Sequence, residues 1–505
     1  MSLAEDSIVG NTVQQIRAQV DELSRLVAEA AQNAVGLYHV ERRIFESVLK
    51  IGHQFTEAFI QLQGNGDLGE RVESSDGRTL YRSESPHVRK LRTIFGEHEF
   101  GQFVYSQREN GKIELLPLDA RMALSEHTYS YLMEEFSQMF CVESAFALSA
   151  KNLHQVFGGQ FSVNTLELTT QRMGSQAEEY LDNLPRPKPE DEGELLVCSA
   201  DGKGVPTIRQ ATEQRPAMAE RNKRPGNRKM ATVAAVYSVD RHHRTGQDVV
   251  AALFREDREK PPTKRPEPQF KHVTAHFSET YSEDYECLET TGPQEAFAWI
   301  ASEVGTRRQS GQVLIVLLDG GPTLWDQAGV YLPDDTVPIL DLLHAAQYVW
   351  KAAHVLYAKS EESEAFARER VLWLLEGRAS SVIRGLRHLA TQHKLPRQKR
   401  AAIETVCNYL TKHLPHLRYD IYLKEGYPIA SGVIEGACRH LVKDRMERSG
   451  MRWTLRGAKS MLNVRAVQQS TYWNDFHDTR RVNEQQRLHP NRHLLQNYKP
   501  AQLAA

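Results

Sequence analysis

The sequence lacks the features that mark disulfide-rich, zinc-ribbon and membrane proteins. Its five cysteines in 505 residues form no C-x-x-C pair, which excludes a recognisable disulfide framework and favours a reducing cytoplasm. They are Cys141, Cys198, Cys287, Cys407 and Cys438. No apolar run approaches the roughly 18 residues of a membrane span, and the N-terminus carries acidic residues instead of a basic leader. We therefore expect neither a signal peptide nor a membrane partner.

An excess of charge is also missing, since 63 Lys and Arg face 65 Asp and Glu, a net charge of -2. This balance excludes no nucleic-acid partner, because DNA binding needs a local basic surface and not an overall excess. The 40% hydrophobic and 25% charged residues that are present are typical of a soluble globular protein. A chain of this length exceeds one ordinary core, so about two to four domains are expected.

Two acidic residues each end an apolar run. Val313–Leu318 leads to Asp319 and two glycines, and Leu195–Ala200 leads to Asp201 and another glycine. A continuous apolar run of this length is typical of a strand buried on both faces. Either Asp-Gly pair alone would be an ordinary turn.

A third acidic residue, Glu435, lies in the segment Ser431–Met446, whose apolar residues recur at helical spacing. The first serine or the glycine after it can serve as the N-cap, which puts Glu435 in the first turn. There the helix dipole favours the ionised carboxylate, and Arg439 and Lys443 add positive charge to the same predicted face. The simpler interpretation is a glutamate that only caps its helix.

The three acidic residues are far apart in the chain (319 − 201 = 118; 435 − 319 = 116) and fit a trio assembled by one sheet and one helix. With its surroundings, the trio resembles that of DDE transposases with an RNase H-like core, most closely the insertion-sequence transposases of the ISKra type. The resemblance extends from about Lys90 to Phe476. It rests on the motifs Asp201-Gly202-x-Gly204-Val205-Pro206, Leu318-Asp319-Gly320-Gly321-Pro322 with Trp325, Ser431-Gly432-Val433-Ile434-Glu435-Gly436, and Arg445-Met446-x-x-Ser449-Gly450-Met451-Arg452-Trp453.

This resemblance implies a bacterial DNA transposase, located in the cytoplasm on the nucleoid, that cleaves the ends of its element and joins them to target DNA. Asp201, Asp319 and Glu435 would be its catalytic residues and would bind two Mg²⁺ ions, with Mn²⁺ as a substitute. Asp201 would bridge both ions, and the other two residues would each complete one site. One ion would activate the attacking water or 3′-hydroxyl, and the other would stabilise the leaving 3′-oxygen.

Three further residues are candidate accessories of this site. Asp341 and His344 form a D-x-x-H pair similar to one in several DDE families, and their spacing puts both side chains on one helical face. A structural hydrogen bond between them fits the sequence as well as catalysis does. Trp325 is predicted to be a core residue or, as in related transposases, to stack on an unpaired base. Cysteine pairs that could bind zinc in relatives, near residues 91–116, are absent, so the resemblance implies no zinc.

The expected fold class is an α/β RNase H-like core with a mixed five-stranded sheet and flanking helices, interrupted by an all-α insertion. Core strands are predicted at Ala231–Val239, Val249–Phe254 and Val337–Asp341, besides those that end at Asp201 and Asp319, with Arg255–Phe270 as a charged excursion. A largely helical N-terminal region with a helix-turn-helix precedes this core. The predicted divisions are 1–63 helical, 64–125 linker and small β region, 126–180 helix-turn-helix, 181–193 linker, 194–350 core, 351–425 insertion, 426–480 core with basic helices, and 481–505 polar tail.

The N-terminal region carries two helical patterns. Apolar residues of Val13–Phe59 step by three and four, which predicts a coiled-coil dimer or an intramolecular helical hairpin. Thr128–Cys141, Ala145–Val156 and Val163–Met173 are predicted to be three helices, either simply packed or forming a helix-turn-helix whose last helix enters a major groove.

Double-stranded DNA, as the element's terminal inverted repeats and as target, is the expected partner of a homodimer or higher oligomer. The last of the three helices, a basic loop after the first core strand and the region after Glu435 supply the candidate contacts. These residues are Asn164, Thr165, Gln171, Arg172, Arg221, Lys223, Arg224, Arg228, Lys229, Arg439, Lys443, Arg445 and Arg452. Two other interpretations stay open, a domesticated, non-catalytic DNA-binding protein and a structure-specific nuclease of the same fold.

Overall fold

The computed structural model describes residues 3–74, 76–108, 111–209, 227–256, 264–283 and 286–499. The chain divides into two compact units. Unit one comprises Met1–Thr169 and Asn474–Ala505, and unit two comprises Thr170–Trp473. No helix in the described ranges is both long enough and apolar enough to cross a membrane.

Unit one begins with a helical hairpin formed by Leu3–Gln32 and Leu37–Gln61. Thr12 near the start of the first helix donates a hydrogen bond to Gln61 at the end of the second, 3.3 Å away, so the helices run antiparallel. The intramolecular hairpin, one of the two predicted alternatives, is confirmed. Several apolar side chains of the hairpin stay exposed in the single chain: Val20, Val27, Phe45, Val48, Phe55 and Phe59. Self-association through this segment remains a prediction.

Six short strands follow the hairpin: β1 Arg71–Glu73, β2 Thr79–Arg82, β3 His87–Thr93, β4 Gly96–Gln102, β5 Tyr105–Ser106 and β6 Ile113–Leu115. β1, β2, β5 and β6 form one sheet in that order, and β3 pairs with β4. All six strands lie within residues 64–125, which were predicted as a linker and small β region. The predicted strand Leu91–Tyr105 is broken by a tight turn at Gly96, whose φ of +130° suits glycine.

The helices of unit one are Pro117–Met122, Tyr131–Cys141 and Phe146–Phe157, and most of Trp473–Leu488 near the C-terminus. The segment predicted as a polar tail, 481–505, contains the end of the helix Trp473–Leu488 and a short 3-10 helix, Arg492–Leu495. Leu495 is buried in one cluster with Leu80 and Tyr105. Arg480 also donates to the buried Glu134 at 2.6 Å, so the C-terminal segment completes the core of unit one.

The helix Val163–Asp182 is longer than the predicted Val163–Met173. Ser162 accepts a hydrogen bond from the backbone N–H of Thr165, as expected of a capping serine. The helix continues beyond Met173 because Gly174 packs on the helix of Ser460. A Cβ at Gly174 would lie 2.4 Å from Ser460 atoms, so this close approach requires glycine.

Unit two is built on a mixed five-stranded sheet of order β13-β12-β7-β8-β9. The sheet strands are β7 Leu195–Pro206, β8 Arg228–Val239, β9 Gln269–His276, β12 Val313–Leu318 and β13 Val337–Leu340, and β10 Glu279–Glu283 and β11 Glu286–Thr290 form a separate hairpin. β8 is antiparallel to β7 and β9, whereas β12 is parallel to β7 and β13. The mixed five-stranded sheet was predicted from the sequence.

One predicted strand, Val249–Phe254, is wrong. It belongs to the helix Gly246–Leu253, which begins with a capping box between Thr245 and Asp248. The third sheet strand is instead β9, which starts inside the predicted charged excursion.

Helices cover the sheet and form the long insertion after β13. They are Gly292–Arg307, Pro322–Tyr331, Leu342–Leu356, Ser360–Leu375, Ala379–Gln392, Arg397–Lys412 and Tyr419–Lys424, followed by Gly432–Ala437, Asp444–Met446 and Leu455–Gln469. One buried cluster runs from Leu195 and Ile339 in the sheet to Val382 and Leu410 in the insertion. The insertion therefore shares the core of the sheet instead of forming its own.

Candidate active site

Three aspartates lie at the same end of three neighbouring parallel strands: Asp201 within β7, Asp319 directly after β12 and Asp341 directly after β13. β12 pairs with β7 at an offset of 118, as in Val316 with Cys198 (316 − 198 = 118), and Asp319 and Asp201 have the same separation (319 − 201 = 118). β13 pairs with β12 at an offset of 22, as in Leu340 with Leu318 (340 − 318 = 22), which puts Asp341 beside Asp319 (341 − 319 = 22). The common strand direction brings the three residues to one edge of the sheet.

The loop after β12 holds Asp319 in place. The backbone N–H of Gly321 donates to Asp319 Oδ1 at 2.8 Å, and the indole Nε1 of Trp325 donates to the Asp319 carbonyl at 2.7 Å. One face of the half-buried Trp325 ring stacks on His416 of the insertion, with ring centroids 4.3 Å apart. These two contacts give Trp325 a structural role, which accounts for its position without stacking on an unpaired nucleic-acid base.

Asp341 connects β13 to the helix of Glu435. Its side chain is fully buried, and its Oδ1 accepts the backbone N–H of Ser431 at 2.7 Å. Ser431 directly precedes the helix Gly432–Ala437. The N-cap position at Ser431 was predicted, but its hydroxyl makes no capping hydrogen bond. The cap of this helix is held by Asp341 instead.

His344 forms the predicted pair with Asp341. Oδ2 of Asp341 accepts the backbone N–H of His344 at 2.9 Å and faces His344 Nδ1 at 2.7 Å. One ligand atom each from Asp341, His344 and Glu435 lies within 4.8 Å of the others. The hydrogen bond and the proximity to Glu435 are both present, so the pair links β13, its helix and the Glu435 helix.

Negative charge is concentrated at this edge. Burial raises the pKa of Asp201, and the charge of Asp319 raises it further, against hydrogen bonds from Gly202 and Cys438. Partial desolvation likewise raises the pKa of the exposed Glu435, with the charges of Asp341 and Asp201 adding to the effect and that of His344 opposing it. The carboxyl groups of Asp201 and Glu435 therefore lose their protons less readily than ordinary carboxyl groups, unless a cation lies nearby.

His344 and Asp341 are shifted in opposite directions. The hydrogen bond to Asp341 raises the pKa of His344 above its ordinary value against the effect of burial, and the charges of Asp319 and Asp201 raise it too. Burial alone would raise the pKa of Asp341, but hydrogen bonds from His344 and Ser431 outweigh it and lower the pKa. Both shifts favour the charged forms, an imidazolium beside a carboxylate.

A π-helical segment, Cys438–Lys443, follows the Glu435 helix. A π turn holds more residues than an α turn, so the predicted single face of Glu435, Arg439 and Lys443 is interrupted. Arg465 is buried, and its guanidinium donates to the carbonyls of His440 and Leu441 within the segment. This buried guanidinium satisfies carbonyls that the π turn leaves available.

The sequence analysis missed Cys438, whose Sγ–H donates to Asp201 Oδ2 at 3.5 Å. Burial and the charge of Asp201 raise the pKa of its thiol, so it stays a neutral donor. Its position three residues after Glu435 on a predicted helix could have indicated that it shares a face with the carboxylate.

The basic residues predicted to contact DNA differ in exposure. Asn164, Arg439, Lys443 and Arg452 are exposed, as are Arg228 and Lys229 at the start of β8, while Thr165, Gln171 and Arg172 are half-buried. Arg439 lies 3.9 Å from Asp444, and Arg228 pairs with Glu447. Arg221, Lys223 and Arg224 lie outside the described residues.

Arg445 requires a correction. Its side chain is fully buried, and its guanidinium lies 4.8 Å from the centre of the Trp453 ring. It stabilises the motif that follows Glu435 from within and does not reach a DNA phosphate. Trp453 in turn bonds through its backbone to Pro206 at 3.0 Å and to Ile208 at 2.8 Å, at the end of β7.

The ligand atoms within 4.8 Å of one another at this edge are those of Asp341, His344 and Glu435, and the carboxylates of Asp201 and Asp319 are further oxygen ligands of the kind that a divalent cation binds. Asp201 is half-buried and Glu435 exposed, so both carboxylates are open to solvent and to a phosphate. Clustered carboxylates with raised pKa values favour a bound cation, because a cation relieves their mutual repulsion. Mg²⁺ prefers such all-oxygen sites.

Comparisons with known proteins add little to this geometry. No protein-family model matches the chain, and no curated protein matches it. Among solved structures, the Drosophila P element transposase strand transfer complex is similar at 11% sequence identity, over 71% of this chain and 82% of that chain, with a TM-score of 0.24. A likeness at this TM-score assigns neither a fold family nor an activity to this chain.

Proposed function

We propose that the chain is a DDE transposase that cleaves the ends of an insertion sequence and joins them to target DNA. The observation that carries this proposal is the position of Asp201 and Asp319 at the same end of the neighbouring strands β7 and β12, with Glu435 near enough for the charge of Asp201 to act on its carboxyl group. Acidic residues from distant parts of the chain therefore interact at an edge that solvent reaches. A helix-capping glutamate and two unrelated turns would not require this interaction.

The sheet supports an RNase H-like core. Three consecutive antiparallel strands, β7 to β9, are followed by the parallel strands β12 and β13, which add on the other side of β7. The proposal is supported by this strand order, which the resemblance implies, and by the helices that lie between β13 and Glu435.

Asp201, Asp319 and Glu435 are the residues that would hold Mg²⁺, or Mn²⁺ in its place. When bound, two such ions supply an activated water or 3′-hydroxyl and stabilise the leaving oxygen. Asp341 acts as a positioning residue, because it fixes both His344 and the start of the Glu435 helix. Cys438 orients the Asp201 carboxylate through its hydrogen bond.

DNA binding is proposed for the exposed basic residues of both units. Arg439, Lys443 and Arg452 follow Glu435 in the chain and are exposed, so they are suited to phosphates next to the site. Asn164 and Thr165 are proposed to face a major groove in a helix-turn-helix with the helix Val163–Asp182 as its last helix.

The test uses the full chain with labelled duplexes that carry the two ends of the element, in Mg²⁺, and scores nicking and strand transfer separately. A transposase nicks end DNA and joins the free 3′ end to a second duplex. Nicking of branched DNA without joining would instead identify a structure-specific nuclease. Binding without any cleavage in Mg²⁺ or Mn²⁺ would identify a non-catalytic DNA-binding protein and overturn the proposal.

A further inference from the structure

A second group of ligand-type side chains lies in unit one, outside the proposed active site. His53 and Glu57 are one turn apart on the helix Leu37–Gln61, and His98 lies on β4. The helix and the β3–β4 hairpin approach closely at two glycines. A Cβ at Gly52 would lie 2.4 Å from the Phe95 ring, and one at Gly96 would lie 3.0 Å from His53 Nδ1.

Ligand atoms of the three side chains lie close together. One ligand atom from each lies within 4.8 Å of the other two. His98 Nδ1 is 2.9 Å from Glu57 Oε2, and the rings of His53 and His98 stack with centroids 4.4 Å apart. In a tetrahedral zinc site the ligand atoms are about 3.4 Å from each other, given zinc–nitrogen bonds of about 2.0 to 2.1 Å. Because each nitrogen lone pair lies in its ring plane, the nearly parallel His53 and His98 rings bind one ion only after one of them has rotated.

Outer hydrogen bonds already orient two of these groups. His98 Nε2 is 3.2 Å from Thr93 Oγ1, which also accepts the backbone N–H of Phe95 at 3.1 Å. Glu57 Oε1 accepts from Gln61 Nε2 at 3.5 Å. Metal-binding histidines almost always use their second nitrogen in this way, and the bond leaves the first nitrogen for the metal.

A proton lies between His98 Nδ1 and Glu57 when no metal is bound, since one of two facing acceptors must carry it. The His98 side chain has no exposed surface, whereas the Glu57 side chain is 31% exposed. Neutral imidazole is the form that binds a metal.

We propose that His53, Glu57 and His98 bind a divalent transition-metal ion of the Zn²⁺ type. Two imidazoles and one carboxylate suit zinc, and the exposed side of Glu57 leaves a fourth position for water. The ion would connect the second helix of the N-terminal hairpin to the β3–β4 hairpin and release the proton between His98 and Glu57. The site is independent of the proposed transposase activity, because its ligands all belong to unit one.

The test is zinc binding by the full chain after chelator treatment, measured by titration calorimetry and by the zinc-induced rise in Tm. A Glu435→Gln background removes a ligand from the proposed Mg²⁺ site and from the neighbouring group of Asp341, His344 and Glu435, which could also take zinc. Zinc should raise the Tm of this protein, and His98→Asn or Glu57→Gln should abolish the rise. Thr93→Val should weaken zinc binding by about 10- to 100-fold, as expected for an outer hydrogen-bond partner.

His39→Asn is the matched control, because His39 is an exposed histidine of the same helix whose ring contacts Tyr38. It should keep the full zinc response. Substitution of Co²⁺ adds a spectroscopic readout, since intense visible bands that disappear in Glu57→Gln report the site even if His98→Asn folds poorly. Absence of a zinc response in the parent protein, or an equal response in Glu57→Gln, would overturn the proposal.

Discussion

The buried carboxylate of Asp341 accepts the backbone N–H of Ser431 across 2.7 Å, although 90 residues separate the two in the chain. This bond attaches the helix of Glu435 to the end of β13. Asp341, whose proposed role requires no contact with a metal, therefore fixes the position of Glu435, one of the proposed metal ligands.

We expect Asp341→Ala to lower the free energy of unfolding by about 3 kcal/mol, because a buried charged acceptor of several hydrogen bonds is lost. Displacement of Glu435 by about 1 Å should also slow cleavage by about 100-fold. Asp341→Asn keeps an acceptor for Ser431 and should lose less of both. Denaturant unfolding and cleavage rates measure the two effects, and a fully active, fully stable Asp341→Ala protein would contradict the positioning role.

Replacing Asp201, Asp319 or Glu435 by Ala should abolish strand cleavage while DNA binding persists or tightens. Each change removes a proposed metal ligand and a negative charge that repels the phosphate, but leaves the basic contacts in place. Binding and cleavage are measured on the same labelled end DNA. An Ala variant that still cleaves at the normal rate would refute the mechanism.

Asp326 is the appropriate control for these variants. It is exposed on the helix Pro322–Tyr331, and Asp326→Ala should change stability by no more than about 0.5 kcal/mol. Glu447 was also expected to tolerate Ala, but its ion pair with Arg228 makes it a poorer control.

The pH dependence follows from the raised pKa values of Asp201 and Glu435. A carboxyl whose pKa is higher in the folded protein than in the unfolded chain opposes folding once it ionises, so metal-free stability should rise as pH falls through the raised pKa. Asp201→Asn should therefore raise the Tm of the metal-free protein near neutral pH, and the difference should shrink in acid. Mg²⁺ should raise the wild-type Tm most near neutral pH, because at lower pH protons compete with Mg²⁺ for the carboxylates. Thermal scans of both proteins across pH test the sign.

Arg445 and Arg452 form a matched pair within one motif. Arg445→Ala should destabilise the protein by about 3 kcal/mol, because it empties a buried site beside Trp453. Arg452→Ala should leave stability within about 0.5 kcal/mol and reduce the salt dependence of DNA binding by about one ion. Thermal unfolding and binding at several salt concentrations separate the two, and the reverse pattern would be contrary to the observed burial.

The sequence also predicts that a fragment ending near Gly174 binds element ends on its own. The buried pair of Arg480 and Glu134 changes the design of that experiment, since the fragment leaves Glu134 without its C-terminal partner. Breaking such a pair costs about 3 to 5 kcal/mol, so we expect specific end binding only when residues 474–499 are supplied as well. If the complemented fragment binds random DNA as tightly as end DNA, unit one does not recognise the sequence of the element ends.

Much of the sheet could be predicted because its strands are unbroken apolar runs. Asp201 and Asp319 stand where such runs end, so their adjacency followed from parallel pairing. The register of the strands could not be predicted, because it depends on backbone pairing that leaves no signal in the sequence. Val249–Phe254 fits a strand and a helix equally well by composition, and only the capping box at Thr245 distinguishes them.

The burial of single charged residues was the second feature that could not be predicted from the sequence. Arg445 lies among basic residues that do reach solvent, and nothing in its neighbours' spacing indicates that it faces Trp453. The π turn at Cys438–Lys443 depends on Arg465, about twenty residues later in the chain, so local periodicity could not reveal it.

The position of the aspartates at the sheet edge does not depend on the number of residues that connect them in the chain. The spacing of Asp201 and Asp319 is set by neighbouring strands, about 4.8 Å apart, and not by the residues that connect them. Segments between β8 and β12 can therefore gain or lose residues without moving the carboxylates, provided that β7 and β12 keep their pairing. A slip of β12 by a single residue would by contrast turn Asp319 to the opposite face of the sheet, so this edge tolerates long insertions in its loops and no insertion in its strands.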